Sequence, residues 1–172
     1  MAFEQIINII EPCQLRRNSS DLFKVTQTLN TTRFRTDKFE DYYEKQEEIG
    51  RGHFADVYQV IEKSTGTKYA AKYIKKKRLE SSRRGVSKKD IQNEVNVLSG
   101  MNHENIIYLH QVYENRQHVV LVLELVDGGE LFDFISEREW LTEEEASYFV
   151  KQILLGVKHM HTKGLTHPYF IL

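Results

Sequence analysis

Ile49-Gly50-Arg51-Gly52-His53-Phe54-Ala55-Asp56-Val57 places two glycines one residue apart in a run that otherwise reads as a β-hairpin. Glycine admits backbone conformations closed to other residues and lets the main chain come close to a ligand. Amides presented in this way can face phosphate oxygens. A Gly-x-Gly is also common in ordinary hairpins, so its weight comes from the residues placed at set distances after it. A strand ending Tyr69-Ala70-Ala71-Lys72 comes next, and then a helix carrying Glu94 on its apolar face.

Working outward, Tyr42 to Ile49 and Ala55 to Glu62 read as paired strands around the glycine turn, and Ser64-Thr65-Gly66 marks a second turn. Lys68 to Ile74 is a third strand. Side chains alternate along a strand, so Ala70, Lys72 and Ile74 share one face. A lysine between apolar neighbours needs an anionic partner or a ligand if that face is covered, and needs neither if the face is open to water. Ser87-x-x-Asp90 is a capping box that opens a helix, in which Ile91, Val95 and Leu98 form an apolar stripe. Glu94 falls within that stripe. A carboxylate there is costly unless paired, and Lys72 is the obvious partner.

Further on, Asn105 to Tyr113 and His118 to Glu124 read as two more strands, joined at Glu114-Asn115-Arg116. The apolar run Val119-Val120-Leu121-Val122-Leu123 suits a central strand. Asp127-Gly128-Gly129 is a linker and Leu131 to Ser136 a short helix. Thr142-x-x-Glu145 caps a long helix whose Ala146, Phe149, Val150, Ile153, Leu154, Val157 and Met160 are expected to face a core, with Gly164 ending it.

The 172 residues suffice for one domain with a sizeable core. Lys plus Arg number 24 and Asp plus Glu 25, a net charge of -1, so nothing global points to nucleic acid or an acidic membrane surface. Cys13 is the sole cysteine, which excludes an internal disulfide and a cysteine-based zinc site and fits a reduced thiol in an intracellular setting, cytoplasmic or nuclear. Ile6-Ile7-Asn8-Ile9-Ile10 has no basic residues before it and is closed by Glu11-Pro12, unlike a secretory signal; no run is long enough to cross a bilayer. Residues 1–38 read as a flexible leader, broken by Asn18-Ser19-Ser20 and Asn30-Thr31-Thr32. Arg16-Arg17-Asn18-Ser19 is a target type for a basic-directed kinase, but also an ordinary solvated tail. Lys75-Lys76-Lys77-Arg78, Arg83-Arg84 and Lys88-Lys89 form a basic run with Glu80 as its only acid before the helix cap. It has no interleaved aromatics, so a protein-docking loop over Lys75–Lys89 is favoured over a nucleic-acid patch.

With these residues assembled, the chain resembles a protein kinase. The glycine loop looks like G-x-G-x-x-G-x-V with Ala55 in place of the third glycine; Tyr69-Ala70-Ala71-Lys72 looks like V-A-I-K; Glu94 looks like the helix glutamate that pairs with its lysine. Two stretches are similar to the death-associated protein kinases of the calmodulin-dependent group: Lys75-Lys76-Lys77-Arg78 with Ser81-Ser82-Arg83-Arg84-Gly85-Val86-Ser87, and Leu123-Glu124-Leu125-Val126-Asp127-Gly128-Gly129-Glu130-Leu131-Phe132-Asp133-Phe134. The resemblance runs from about Asp37 to His167. It implies an α+β fold: a kinase small lobe of five antiparallel strands and one helix over 39–126, the first helices of a large lobe over 127–167, and a divergent tail over 168–172. It implies ATP and magnesium as cofactors. Ile49, Gly50, Arg51, Gly52, His53, Phe54, Ala55, Asp56 and Val57 would cover the nucleotide, with Ala70 above the adenine. Lys72 would hold the α- and β-phosphates, positioned by Glu94. Leu123 would be the gatekeeper, Glu124 and Val126 would offer hinge backbone groups, and Glu130 would reach the ribose. In this family the basic loop is a docking surface for proteins.

The chain departs from the family after Thr166-His167, where it reads Pro168-Tyr169-Phe170-Ile171-Leu172. Tyr169 stands where the catalytic Asp is expected, and a phenol of pKa about 10 is a poor substitute for a carboxylate. The family's Asn and Asp-Phe-Gly magnesium ligands do not come after it. The pattern matches a truncated splice form or an incomplete gene model. On this reading the chain is the ATP-binding portion of a serine/threonine kinase of apoptotic signalling that does not itself transfer phosphate, with no calmodulin-binding segment; the alternative is a non-catalytic interaction module acting through the basic loop. The long helix would then leave Phe149, Ile153 and Val157 uncovered, so the large-lobe part is expected to be loose.

Overall fold

The computed structural model describes residues 33–77, 85–129, 131–138 and 140–165. The leader up to residue 32, residues 78–84 of the basic run, Glu130 and the Tyr169 tail lie outside the described residues. A one-turn helix α1 (Phe39–Tyr42) leads into β1 (Tyr43–Arg51), β2 (Ala55–Glu62) and β3 (Lys68–Lys75). Next come α2 (Lys88–Ser99), β4 (Leu109–Glu114), β5 (His118–Glu124), α3 (Leu131–Ser136) and α4 (Glu143–Thr162). The five strands form one antiparallel sheet in the order β1-β2-β3-β5-β4. The apolar run of β5 occupies an interior position, as its residue types require: Val119 to Leu123 are all buried.

Alternation sorts the strand residues onto two faces. Ala55, Val57, Ala70, Ile74, Val119, Leu121 and Leu123 pack with Ile91, Val95 and Leu98 of α2. Val60, Ala71, Tyr113, Val120 and Val122 pack on the opposite face with Phe39 and Tyr43. That second face is aromatic. Phe39 stacks on Tyr43 at 4.8 Å and meets Tyr113 and Tyr73 edge-on at 5.2 and 5.7 Å. Phe34 and Arg35, read from the sequence as part of the leader, lie against the sheet. Arg35 N–H donates to Val112 O and Arg35 O accepts from Glu114 N–H, at 2.9 and 2.8 Å. Its guanidinium sits 4.2 Å over the Tyr42 ring and 4.9 Å from that of Tyr113.

Two sequence expectations shift. β1 continues two residues beyond Ile49, into the glycine hairpin. β4 starts at Leu109, not at Asn105. The Asn105 N–H donates to His103 Nδ1 (3.1 Å) and the Ile106 N–H to His103 O (3.0 Å), so a side-chain turn takes the groups that a longer strand would pair. The apolar face of α4, expected to lie uncovered, is only partly covered among the described residues. Tyr148, Val150 and Leu154 are 63, 52 and 60% exposed, and only Gly156 of this helix is buried. α4 meets the rest of the chain along a narrow seam, where a Cβ on Gly156 would stand 3.3 Å from Asn105 O. Both predicted helix caps form: Ser87 Oγ accepts from Asp90 N–H, and Thr142 and Glu145 make a reciprocal capping box.

Phe39→Ala should lower stability by about 3 kcal/mol, the usual cost of emptying an aromatic site in a core, measured by urea unfolding; a loss under about 1 kcal/mol would show that α1 does not hold the aromatic face. In brief chymotrypsin digestion, cuts at Tyr148 and Leu154 should precede any cut in the sheet, because exposed apolar contacts leave α4 with little local stability. A helix as resistant as the sheet would contradict this.

Candidate functional site

The α2-facing side of the sheet carries a single buried charge among the described residues, Lys72. β3 fixes it there: it lies opposite Val57 of β2 and Leu121 of β5, with Ala70 and Ile74 on the same face. Lys72 Nζ donates to Glu94 Oε1 at 3.0 Å, and the two side chains are only 6 and 12% exposed. The pair read from periodicity alone is therefore made. α2 delivers Glu94 because Ile91, Val95 and Leu98 anchor its stripe in the same core. Burial raises the Glu94 carboxyl above its usual range, and the Lys72 ammonium opposes that shift through charge and hydrogen bonding.

Above this pair the glycine hairpin closes β1 onto β2. Gly50 pairs with Val57 and Arg51 with Asp56, and the Gly52 N–H donates to Ala55 O at 2.8 Å. Gly50 and Gly52 are not among the described glycines with positive φ, so the hairpin does not depend on glycine for a left-handed backbone; the residues contribute the absence of a side chain. Ala55, at the third glycine position, is buried in the core beside Val57, so its methyl group is accommodated. Phe54 O accepts from Lys75 N–H (3.1 Å), and the His53 ring lies edge-on to Phe54 at 4.4 Å. Ile49 and Phe54 pack at the margin of the core.

At the far edge of this face Leu123 is buried and lies opposite Ala70. Glu124 ends β5, its N–H bonded to Tyr108 O at 3.0 Å, and Val126 comes next but one, half-buried. Val57, Ala70, Lys72, Glu94 and Leu123 are thus brought onto one side of one sheet. Arg51 and Asp56 are not: they alternate with Gly50 and Val57, and Asp56 bonds Lys75 on the outer face, Oδ2 to Nζ at 2.9 Å. Sequence reading missed that link, and strand alternation alone was the signal for it. Lys75 and Lys76, the first two charges of the basic run, each make an ion pair within the lobe: Lys75 with Asp56, and Lys76 Nζ with Glu114 Oε1 at 2.8 Å.

Lys72→Met should destabilise the chain by about 3 kcal/mol at neutral pH, because it leaves a buried carboxyl without its cation. The raised Glu94 titration sets the sign of the pH dependence. A folded-state pKa above the unfolded one gives stability that is complete below the unfolded pKa and is lost as pH rises through the folded one. Removing the cation raises that pKa further, so the variant's deficit against wild type should grow from pH 5 to pH 8 in urea unfolding. An equal deficit at both pH values would refute the coupling.

Comparison with known proteins agrees with this geometry. The protein kinase domain model matches residues 43–168. Human death-associated protein kinase 2 is 55% identical over 138 residues, covering 80% of this chain and 37% of that protein. The Caenorhabditis elegans death-associated protein kinase dapk-1 is 49% identical over 139 residues, again 80% of this chain and 10% of that protein. A probable serine/threonine-protein kinase of Dictyostelium discoideum, fhkC, is 41% identical over 125 residues, 73% of this chain and 21% of that protein. The chain thus spans well under half of the length of these relatives. A five-stranded sheet with a buried Lys–Glu pair beneath a glycine hairpin, matched by these sequences, means that the chain belongs to the protein kinase family, within its death-associated group.

Proposed function

We propose that this lobe binds ATP, and the observation that carries the reading is the buried Lys72–Glu94 pair beneath the glycine hairpin. An ammonium carries three N–H donors and a full positive charge, which suits Lys72 to contact phosphate oxygens. Val57, Ala70 and Leu123 supply an apolar wall suited to an adenine, and the main chain at Glu124 and Val126 supplies groups for its polar edge. The Gly52 amide is engaged by Ala55 O, and the tip amides of His53 and Phe54 are the ones proposed to face phosphates. Ile49, Gly50 and Gly52 act here through backbone and shape, and Glu130 is proposed for the ribose by family alone. Protein phosphorylation is the activity of the family. For this chain we propose nucleotide binding without transfer, since Tyr169 stands where the family has its catalytic Asp.

Titration of the chain with ATP should give saturable binding that Lys72→Met weakens about ten-fold or more, in line with loss of a charge-assisted phosphate contact. Incubation with labelled ATP and a basic peptide should leave the peptide unlabelled. Labelling abolished by Lys72→Met would overturn the non-catalytic reading, and absence of ATP binding would overturn the nucleotide site.

A second reading, docking of protein partners through the basic run, is favoured by the way that run is pinned. Lys77 N–H donates to Val86 O and Val86 N–H to Lys75 O, at 2.9 and 2.8 Å. Gly85 has φ 89°, and a Cβ there would stand 2.8 Å from the Lys76 carbonyl. Both ends of the run are thereby fixed to β3. Neutralising Lys77, Arg78, Arg83 and Arg84 should weaken capture of an acidic protein partner, and unchanged capture would sink this reading.

A further inference from the structure

The glycines that leave room for a ligand also remove side-chain contacts between the two arms of the hairpin. Arg51 and Asp56 are the last cross-strand pair before the turn. On the outer face they belong to a chain of alternating charge. Arg51 Nη2 donates to Glu48 Oε2 at 2.6 Å, and Arg51 Nε lies 3.9 Å from Asp56 Oδ1. Lys75 Nζ lies 2.9 Å from Asp56 Oδ2, and His118 of β5 lies opposite Lys75. Asp56 is the centre of this chain and, at 19% exposure, is much less solvated than Arg51 at 70% or Lys75 at 51%. Lys75 also donates its backbone N–H to Phe54 O at the hairpin tip, so the same residue ties both the tip and Asp56 to β3.

We propose that Asp56 is a positioning residue for the glycine hairpin: it clasps both arms to β3 from the face opposite the ligand and holds the tip amides at a fixed distance from Lys72. This rests on the proposed nucleotide site, in which those amides meet phosphates. Asp56 touches no nucleotide. Its effect is on phosphate binding because the tip, not the apolar wall around Ala70 and Leu123, is what it restrains.

The test uses the full chain without ligand first. Hydrogen exchange is measured at the Gly52 N–H, whose bond to Ala55 O closes the turn. Asp56→Asn should speed this exchange about three- to ten-fold, the range an ion-pair link of this exposure supports, and Asp56→Glu should restore it to near the wild-type rate. ATP and adenosine are then titrated separately. Asp56→Asn should weaken ATP more than adenosine by about three-fold, with Asp56→Glu recovering ATP binding. Unchanged Gly52 exchange, or equal weakening of both ligands, would overturn the proposal. If wild type binds neither ligand, the nucleotide reading falls, and the exchange result alone decides whether Asp56 clasps the hairpin.

Discussion

Burying an ammonium group in an apolar face is the constraint on which this lobe depends. Lys72 is held between Ala70 and Ile74 on an interior strand, and its charge has no water to compensate it at 6% exposure. Glu94 is the answer, and it can only be delivered by a helix whose register brings it to within 3.0 Å. Position, rotation and depth of α2 are therefore set together with the charge. The cap at Ser87 and the stripe Ile91, Val95 and Leu98 fix the same helix independently. Agreement between the polar and apolar requirements leaves one arrangement.

The opposite face of the sheet solves a different problem. Strands buried on one side only would leave Val60, Val120 and Val122 against water. Phe39 and the ring of tyrosines around it cover them, and burial raises the Tyr43 and Tyr73 phenols above their usual titration range. Arg35 extends this cover by lying over Tyr42 and Tyr113 while its backbone adds to the edge of β4. The segment before the first strand is thus part of the lobe's packing. It lets a one-turn helix cover one side of the sheet while the longer α2 covers the other.

The two helical parts differ in how they are held. α2 is buried along a full stripe, whereas α4 touches the described residues near Gly156 and leaves Tyr148, Val150 and Leu154 exposed. Phe134 and Phe149, 5.7 Å apart, link α3 to α4 without joining either to the sheet core. Lys72, Glu94 and the glycine hairpin lie on the sheet and α2, in the well-packed part of the molecule.

Periodicity in the sequence was enough to determine five strands, their alternating faces, two helix caps and the Lys72–Glu94 pair, because each arises from local spacing and from the cost of burying a lone charge. The kinase motifs were legible for the same reason: their residues sit at fixed distances along the chain. Other features depended on distances between strands that no local pattern encodes. Asp56 and Lys75 are 19 positions apart and meet only because β2 and β3 pair in one register. The turn at His103 shortened β4 through a side-chain bond that competes with the ladder. Whether the apolar stripe of α4 is covered was likewise beyond periodicity, which shows that a helix has an apolar face but not what lies against it. Those decisions belong to tertiary structure, where pairing register and packing select among contacts that the sequence permits equally.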